Sequence, residues 1–302
     1  MRGGETHDRG IRMGAPLSVT VERLTQLPPG APHRQGIPER RQPMRQHPAH
    51  ALTFTTRTST DGVIERDFVL GDIPGVLWSP ASGPERAPLV FMGHGGGTHK
   101  RWPAMTGRAR LLVTGCGFHV AVVDAPGHGD RPRTAYDEQE IAALYRAREA
   151  GEPEGPIVVR YNARLAELAV PEWKAALDAL QELPEIGAGG PVGFFGLNMA
   201  TAIGVPFVAD DPRITAAVFG LHWPDALAEA AGRITIPVEY AMQWDDEHIP
   251  RAAALALFDA FASKEKTLHA NSGRHKELPR FESDSAARFL ARHLRPTAVR
   301  EV

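Results

Sequence analysis

Six short apolar runs constrain this chain more than any other feature: Pro88–Met92, Phe118–Val123, Val192–Phe195, Ile214–Phe219, Ile236–Met242 and Lys266–Ala270. A strand that is apolar along its length, rather than at alternate positions, needs cover on both faces. Between these runs lie helical patterns near Ala104–Thr114, Pro171–Glu182, Met199–Ala209, Ala226–Ala231, Arg251–Ala262 and Phe281–His293. Regular alternation of the two predicts an α/β fold, a mostly parallel sheet flanked by helices and joined by right-handed crossovers. Ahead of it, Leu52–Thr58, Glu65–Leu70 and Gly75–Trp78, separated by Asp61-Gly62 and Gly71-Asp72, predict an antiparallel start.

The first 50 residues have another character. They hold 7 Pro, 6 Gly and 8 Arg, 4 acidic residues and no aromatic one, so burial cannot offset their ordering entropy. Residues 1–50 are therefore expected to form a disordered leader, without the apolar stretch of a signal peptide. A start at Met44 is the plainer alternative. The leader's charge of +4 against a total of −2 leaves about −6 for the rest, so no basic field exists to hold nucleic acid or an anionic membrane. No run is long and apolar enough to span a bilayer. A single cysteine, Cys116, excludes an internal disulfide or a thiolate metal cluster and points to the cytoplasm.

One connection breaks the alternation. Residues 132–170 are far longer than a usual link and contain their own helical pattern, Asp137–Arg148, which is expected to form a lid over the sheet's carboxyl edge, with Ile141, Leu144 and Tyr145 as its apolar residues. The core is then residues 51–131 and 171–302.

Four motifs carry chemistry. After the first apolar run comes Phe91-Met-Gly-His-Gly-Gly-Gly-Thr-His-Lys100. Glycines at a strand's carboxyl end let backbone amides approach a developing negative charge, although a tight turn alone would also use them. Neither a phosphate-loop ending nor a Gly-x-Gly-x-x-Gly spacing is present. Next, Val192-Gly-Phe-Phe-Gly196-Leu-Asn198-Met-Ala200 runs from a buried strand through a sharp turn into a helix, the layout of a nucleophile elbow with Asn198 at its tip and Ala200 where glycine is usual. The last two are Asp245-Asp246-Glu247 on the loop after a late strand and His275 on the Gly-containing loop after the final one. Asp246 is the expected acid, with Asp245 and Glu247 as solvated reserves. Cys116 and Ser272 are other nucleophile types, but neither lies at an elbow.

With its motifs in this order, the chain resembles the α/β-hydrolase family over about residues 52–295, on the evidence of His94-Gly-Gly-Gly97, Asp124-Ala-Pro-Gly-His-Gly-Asp130, the elbow and the Asp246/His275 pair. It looks closest to the branch of dienelactone-hydrolase-like enzymes and serine esterases and peptidases. The resemblance implies an eight-stranded sheet with its site at the carboxyl edge and a small acyl or ester-like ligand. It further implies Asn198 in the nucleophile position, Asp246 and His275 as its partners, oxyanion and substrate contacts at Gly95, Gly96, Gly97 and Met199, and no cofactor or metal. The Asp124–Asp130 stretch reads as a structural loop; its Asp-His-Asp content is the one hint of a metal.

Asn198 departs from the family's serine, and the departure is chemical. A carboxamide nitrogen is delocalised into its carbonyl, so a histidine has no acidic proton to take from it. In a serine protease, loss of the nucleophile costs about 10⁶ in turnover, ~8 kcal/mol. The backbone need not suffer, because Asn tolerates positive φ better than most residues. Three readings follow: a hydrolase silenced at one position, a non-catalytic ligand-binding member of the fold, or deamidation to a carboxylate nucleophile, which Met199 in the following position disfavours. The carboxamide is expected to turn its oxygen to the oxyanion donors or to donate to His275.

Overall fold

Five of the six apolar runs become strands with both faces covered, and the sixth becomes an edge strand. In the computed structural model, which describes residues 51–295, every residue of β5 (Leu89–Gly93), β6 (His119–Val123), β7 (Val192–Gly196) and β9 (Val238–Gln243) is buried. β8 (Ile214–Gly220) is buried except at one position, whereas β10 (Lys266–Asn271) lies at the sheet's edge and is only partly covered. The leader expected over residues 1–50 lies outside the described residues.

The antiparallel start is built from β1 (Leu52–Phe54), β2 (Thr58–Thr60), β3 (Val63–Leu70) and β4 (Ile73–Pro80). The sheet has ten strands in the order β1-β3-β4-β6-β5-β7-β8-β9-β10, with β2 also on β3. From β6 to β10 neighbours are parallel, while β4 is antiparallel to both β3 and β6. Eight strands, β3–β10, make the expected sheet, and the stretch read as one strand over Leu52–Thr58 corrects to two short pieces. Between them the Thr56 hydroxyl, rather than a regular ladder, donates to the Asp67 carboxylate at 2.6 Å. Asp61 and Gly62, both at positive φ, turn β2 into β3, the conformation that a two-residue hairpin loop requires.

Helices cover both faces. α1 (Pro103–Cys116) packs with α7 (Phe281–Leu294), and α3 (Gly155–Gln181) packs with α4 (Met199–Asp210). The short α5 (Ala228–Ala231) and α6 (Arg251–Ala260) complete the crossovers. The excursion contains α2 (Ala135–Ala150), started by a reciprocal cap between Thr134 and Asp137.

No structural break falls at the expected boundary at residue 170. α3 begins within the excursion and runs on through Pro171 into the core, where Trp173, Leu177 and Leu180 are buried. A proline suggests a helix start because it lacks the N–H that an interior position donates. Here Pro171 and Glu167, whose carbonyl loses that donor, are both exposed, so water can replace the missing bond. Among the described residues no helix is long and apolar enough to cross a membrane.

After β6 the chain wraps around one carboxylate. Asp124, fully buried, accepts from the Lys100 ammonium at 2.6 Å, the Lys100 amide at 2.8 Å and the Asp130 amide at 3.0 Å. Gly129 takes φ +60, and a Cβ there would stand 2.2 Å from that carboxylate. These contacts make Asp124–Asp130 a loop organised by an ion pair, with the Lys100 ammonium where a metal would otherwise be sought. Removing one partner of a buried pair strands the other charge. Lys100→Met should therefore lower unfolding free energy by about 3–5 kcal/mol in urea titrations; a loss below about 1 kcal/mol, the range of a surface pair, would contradict this role.

Candidate active site

Asn198 stands between β7 and α4 at φ 58 and ψ −124, a strained pair for a residue with a side chain. The strain is held because the elements cross too closely for anything else. A Cβ on Gly196 would lie 2.7 Å from the Phe194 ring and 2.8 Å from the Ala200 carbonyl. Ala200, the departure from glycine noted in the sequence, fits because Gly93 on β5 yields the space: a Cβ there would come 2.6 Å from that of Ala200. The buried Thr201 hydroxyl bonds the carbonyls of Gly196 and Gly220 at 2.9 and 2.6 Å, and the Asn198 amide donates to Gly220 at 3.0 Å. Strands β5, β7 and β8 together fix the corner.

The glycine segment lies against it. Gly95 carries three donors on its carbonyl oxygen: the His94 Nδ1–H at 3.0 Å, the Thr98 hydroxyl at 2.7 Å and the Thr98 amide at 3.2 Å. His94 Nε2 accepts from the Ala125 amide at 3.0 Å, which places the ring's proton on Nδ1. Because a trans peptide sets C=O and N–H on opposite sides, this clamp turns the Gly96 N–H away from the three donors. A Cβ on Gly96 would lie 3.8 Å from that of Met199, so the segment and the elbow are in contact. Met199 opens α4, where a backbone N–H has no intrahelical acceptor. Gly97 follows at φ +72.

The Asn198 carboxamide does not adopt either expected arrangement. Its nitrogen is the atom nearest Gly95, 3.9 Å from where a Cβ would stand, and its buried Oδ1 has no hydrogen-bond partner. The oxygen accepts from neither the Gly96 nor the Met199 amide, and it is a buried acceptor without a partner among the described residues.

Two loops at the same carboxyl edge bring the acid and the imidazole together. His275 Nδ1 stands 2.7 Å from Asp246 Oδ2, while Asp246 Oδ1 accepts the amides of His248 and Ile249 at 2.8 and 2.9 Å. Burial alone would raise the Asp246 pKa, but the hydrogen bonds from His275 and the two amides outweigh it and hold the carboxyl below its usual range. The reserves Asp245 and Glu247 are not merely solvated. Glu247 accepts the His275 amide at 2.9 Å, and Asp245 exchanges bonds with the backbone of Gly273, so both hold the histidine loop rather than its ring. Ser272 is exposed, and Cys116 lies at the end of α1, half-buried against the Ala287 carbonyl.

Sequence reasoning missed the groups that surround this pair. The His248 ring meets that of His275 edge-on at 5.1 Å, and Glu154, on the turn between α2 and α3, lies 3.5 Å from His248 Nδ1 and accepts from Arg148 at 2.8 Å. In the sequence Glu154 looks like any charged residue of a Gly-Pro turn. His222 is buried, its Nε2 accepting from Asn162 at 3.1 Å. It also borders an apolar cavity of about 360 Å³ between α3 and α4, with Val159, Val170, Ala202 and Pro206 among its walls. Asn198, Asp246 and His275 do not line it, nor do Ile141, Leu144 and Tyr145, the first two half-buried and the third exposed.

Solved structures of similar shape are hydrolases. A cold-adapted esterase from an Arctic intertidal metagenomic library is 33% identical, with TM-score 0.64 over 80% of this chain and 100% of its own. The acetyl xylan esterase of Paenibacillus sp. R4 (15% identity, TM-score 0.58, 82% and 90% of the two chains) is similar in fold. So is a CIB-like hydrolase of Thermoplasma acidophilum (13%, TM-score 0.53, 78% and 100%). No protein-family model matches the chain, and no curated protein does.

Burial holds both His94 and His222 neutral down to a pKa of about 4, against 6.5 for a free imidazole. The unfolded chain then takes up protons that the folded one refuses, so this stability is intact above pH 6.5 and is lost as pH falls toward 4. At 1.36 kcal/mol per unit the loss is on the order of 3 kcal/mol per histidine. Urea midpoints should fall steadily from pH 6.5 to 4.5 while the two ring resonances stay neutral in NMR; a flat profile, or either ring titrating near 6.5, would contradict the assignment.

Proposed function

This chain belongs to the α/β-hydrolase family, and from that we propose that its site is built for carboxyl esters or related acyl compounds, with acylation silenced at Asn198. One combination supports the reading: loops at the carboxyl ends of the strands carry an acid–imidazole contact, a clamped glycine segment packs on the elbow, and the elbow's tip, at positive φ, bears a carboxamide where such a site would need a hydroxyl.

In the working form of such a site, a serine hydroxyl at position 198 attacks the ester carbonyl and passes its proton to His275 Nε2. Asp246 holds the Nδ1 proton and stabilises the imidazolium. The carbonyl oxygen, now negative, takes the N–H groups of Gly96 and Met199. Collapse expels the alcohol, which leaves with the proton from His275, and water repeats the sequence to release the acid. With Asn198 the first step has no proton to move. What remains is binding, the oxyanion donors and His275 acting on water, a residual route of about 10³–10⁴ over the uncatalysed reaction.

A second reading has its own support. The unsatisfied, buried Asn198 Oδ1 is an acceptor awaiting a donor, as a site that holds a ligand without cleaving it would provide. The helical excursion acts as the lid in either case. A single cysteine and a mildly acidic body support a reducing compartment and a small-molecule ligand rather than nucleic acid or a membrane surface.

A panel of p-nitrophenyl esters run on the native chain and on Asn198→Ser separates these readings. The account expects near-silence from the native chain and a gain of at least about 10³ in kcat/KM for Asn198→Ser on some member of the panel, lost again on adding His275→Ala. Equal silence in both, with ligand binding unaffected by His275→Ala, would favour the binding role.

A further inference from the structure

Three ionisable side chains that the hydrolase site does not use converge from separate elements: Glu239 on β9, His269 on β10 and Glu282 in the first turn of α7. Glu239 and Glu282 are both buried, at 4% and 7% exposure. His269 Nδ1 lies 2.6 Å from Glu282 Oε2, and Glu282 Oε1 accepts from Asn271 at 2.9 Å. Glu282 is thus a carboxylate with both oxygens engaged, and the imidazole proton sits on Nδ1. The other nitrogen, Nε2, then presents a lone pair, and what faces it, 3.8 Å away, is Glu239 Oε2.

An acceptor faces an acceptor across a gap too wide for a shared proton. Glu239 has little else: its one hydrogen bond among the described residues is from the Ser285 hydroxyl at 3.5 Å. Arg108 is beside it on the wall of a cavity of about 10 Å³, the room of a single water, which Glu239 and Glu282 also border. Neither Arg108 nor Arg288 on α7 forms an ion pair with either carboxylate among the described residues. Two ligands on one ion, each bonded at about 2.0–2.2 Å, stand roughly 3.4 Å apart at a tetrahedral angle and farther apart when the angle opens. The observed separation is that of two ligand atoms, not of a hydrogen bond. The histidine side chain is 21% exposed, which leaves an entry path.

We propose that Glu239 and His269 coordinate a divalent cation of the zinc class, with Glu282 holding the imidazole from behind. An imidazole nitrogen with a carboxylate suits such an ion better than calcium or magnesium, which favour oxygen-only shells. A carboxylate behind a ligating histidine fixes its tautomer and raises its basicity, as the 2.6 Å contact does here. Water completes the shell. The ion ties β9, β10 and α7 into one unit at the root of the loop that begins after Asn271 and carries His275. It does not depend on the hydrolase reading and survives if that reading fails.

Isothermal titration of the full chain with ZnCl₂ at pH 7.5, with CaCl₂ as control, tests it. One zinc per chain is expected. Affinity should fall at least tenfold in Glu239→Gln and in His269→Gln, and about 10–100-fold in Glu282→Gln, the range for losing a supporting carboxylate. Absence of zinc binding, or affinity unchanged in Glu239→Gln and His269→Gln, overturns the proposal. Should those variants not fold, zinc-edge anomalous diffraction from a zinc-soaked wild-type crystal decides: a peak within about 2.3 Å of His269 Nε2 supports the site, and zinc only at His275 or another histidine overturns it.

Discussion

The close crossing of β7 and α4 sets the terms for everything at the carboxyl edge. Cβ atoms missing from Gly93, Gly196 and Gly204 allow the helix to start almost on top of the strand, and Thr201 then bonds the carbonyls on either side. A chain forced through so short a corner has few conformations left, and the residue at its tip is held at positive φ. The glycine segment after β5 rests on the same corner through Gly96 and Met199. Loosening the crossing would therefore displace the elbow and the glycine segment together.

The geometry shows how far structure and chemistry can be separated at one position. A carboxamide suits the corner, since Asn tolerates positive φ well. The His275–Asp246 contact at 2.7 Å and the clamp on Gly95 are formed with it at the tip. Set against a hydroxyl, a carboxamide lacks a transferable proton, and here it carries a buried oxygen without a partner among the described residues. Clamp, acid and imidazole each have partners of their own, so none of them needs the side chain at position 198 to hold it.

Much of this was legible in the sequence because it rests on local rules. Continuous apolar runs marked the strands, all covered on both faces but the edge strand β10, and Gly-Gly-Gly, Gly196 and the Asp246 and His275 loops could be read from their places at strand ends. The parts that were not legible depend on contacts between distant segments. Ala200 looked like a departure until Gly93, far away in the chain, proved to make room for it. Pro171 looked like a helix start because the sequence does not say which face of the helix meets water. Glu154 and His248 carry no motif; the fold of the excursion brings Glu154 there, and His248 reaches His275 from the acid's own loop. The same holds for Glu239, His269 and Glu282, whose meeting depends on the register of β9 and β10.

The central claim is that position 198 is a nucleophile's position facing a competent histidine. Fluorophosphonate labelling followed by peptide mass spectrometry tests it most directly, since the probe forms a bond only with a hydroxyl activated in that geometry. In Asn198→Ser the account predicts one adduct per chain, on residue 198, abolished by adding His275→Ala, and no adduct on the native chain. An unlabelled, folded Asn198→Ser, or an adduct on another residue of the native chain, would contradict it.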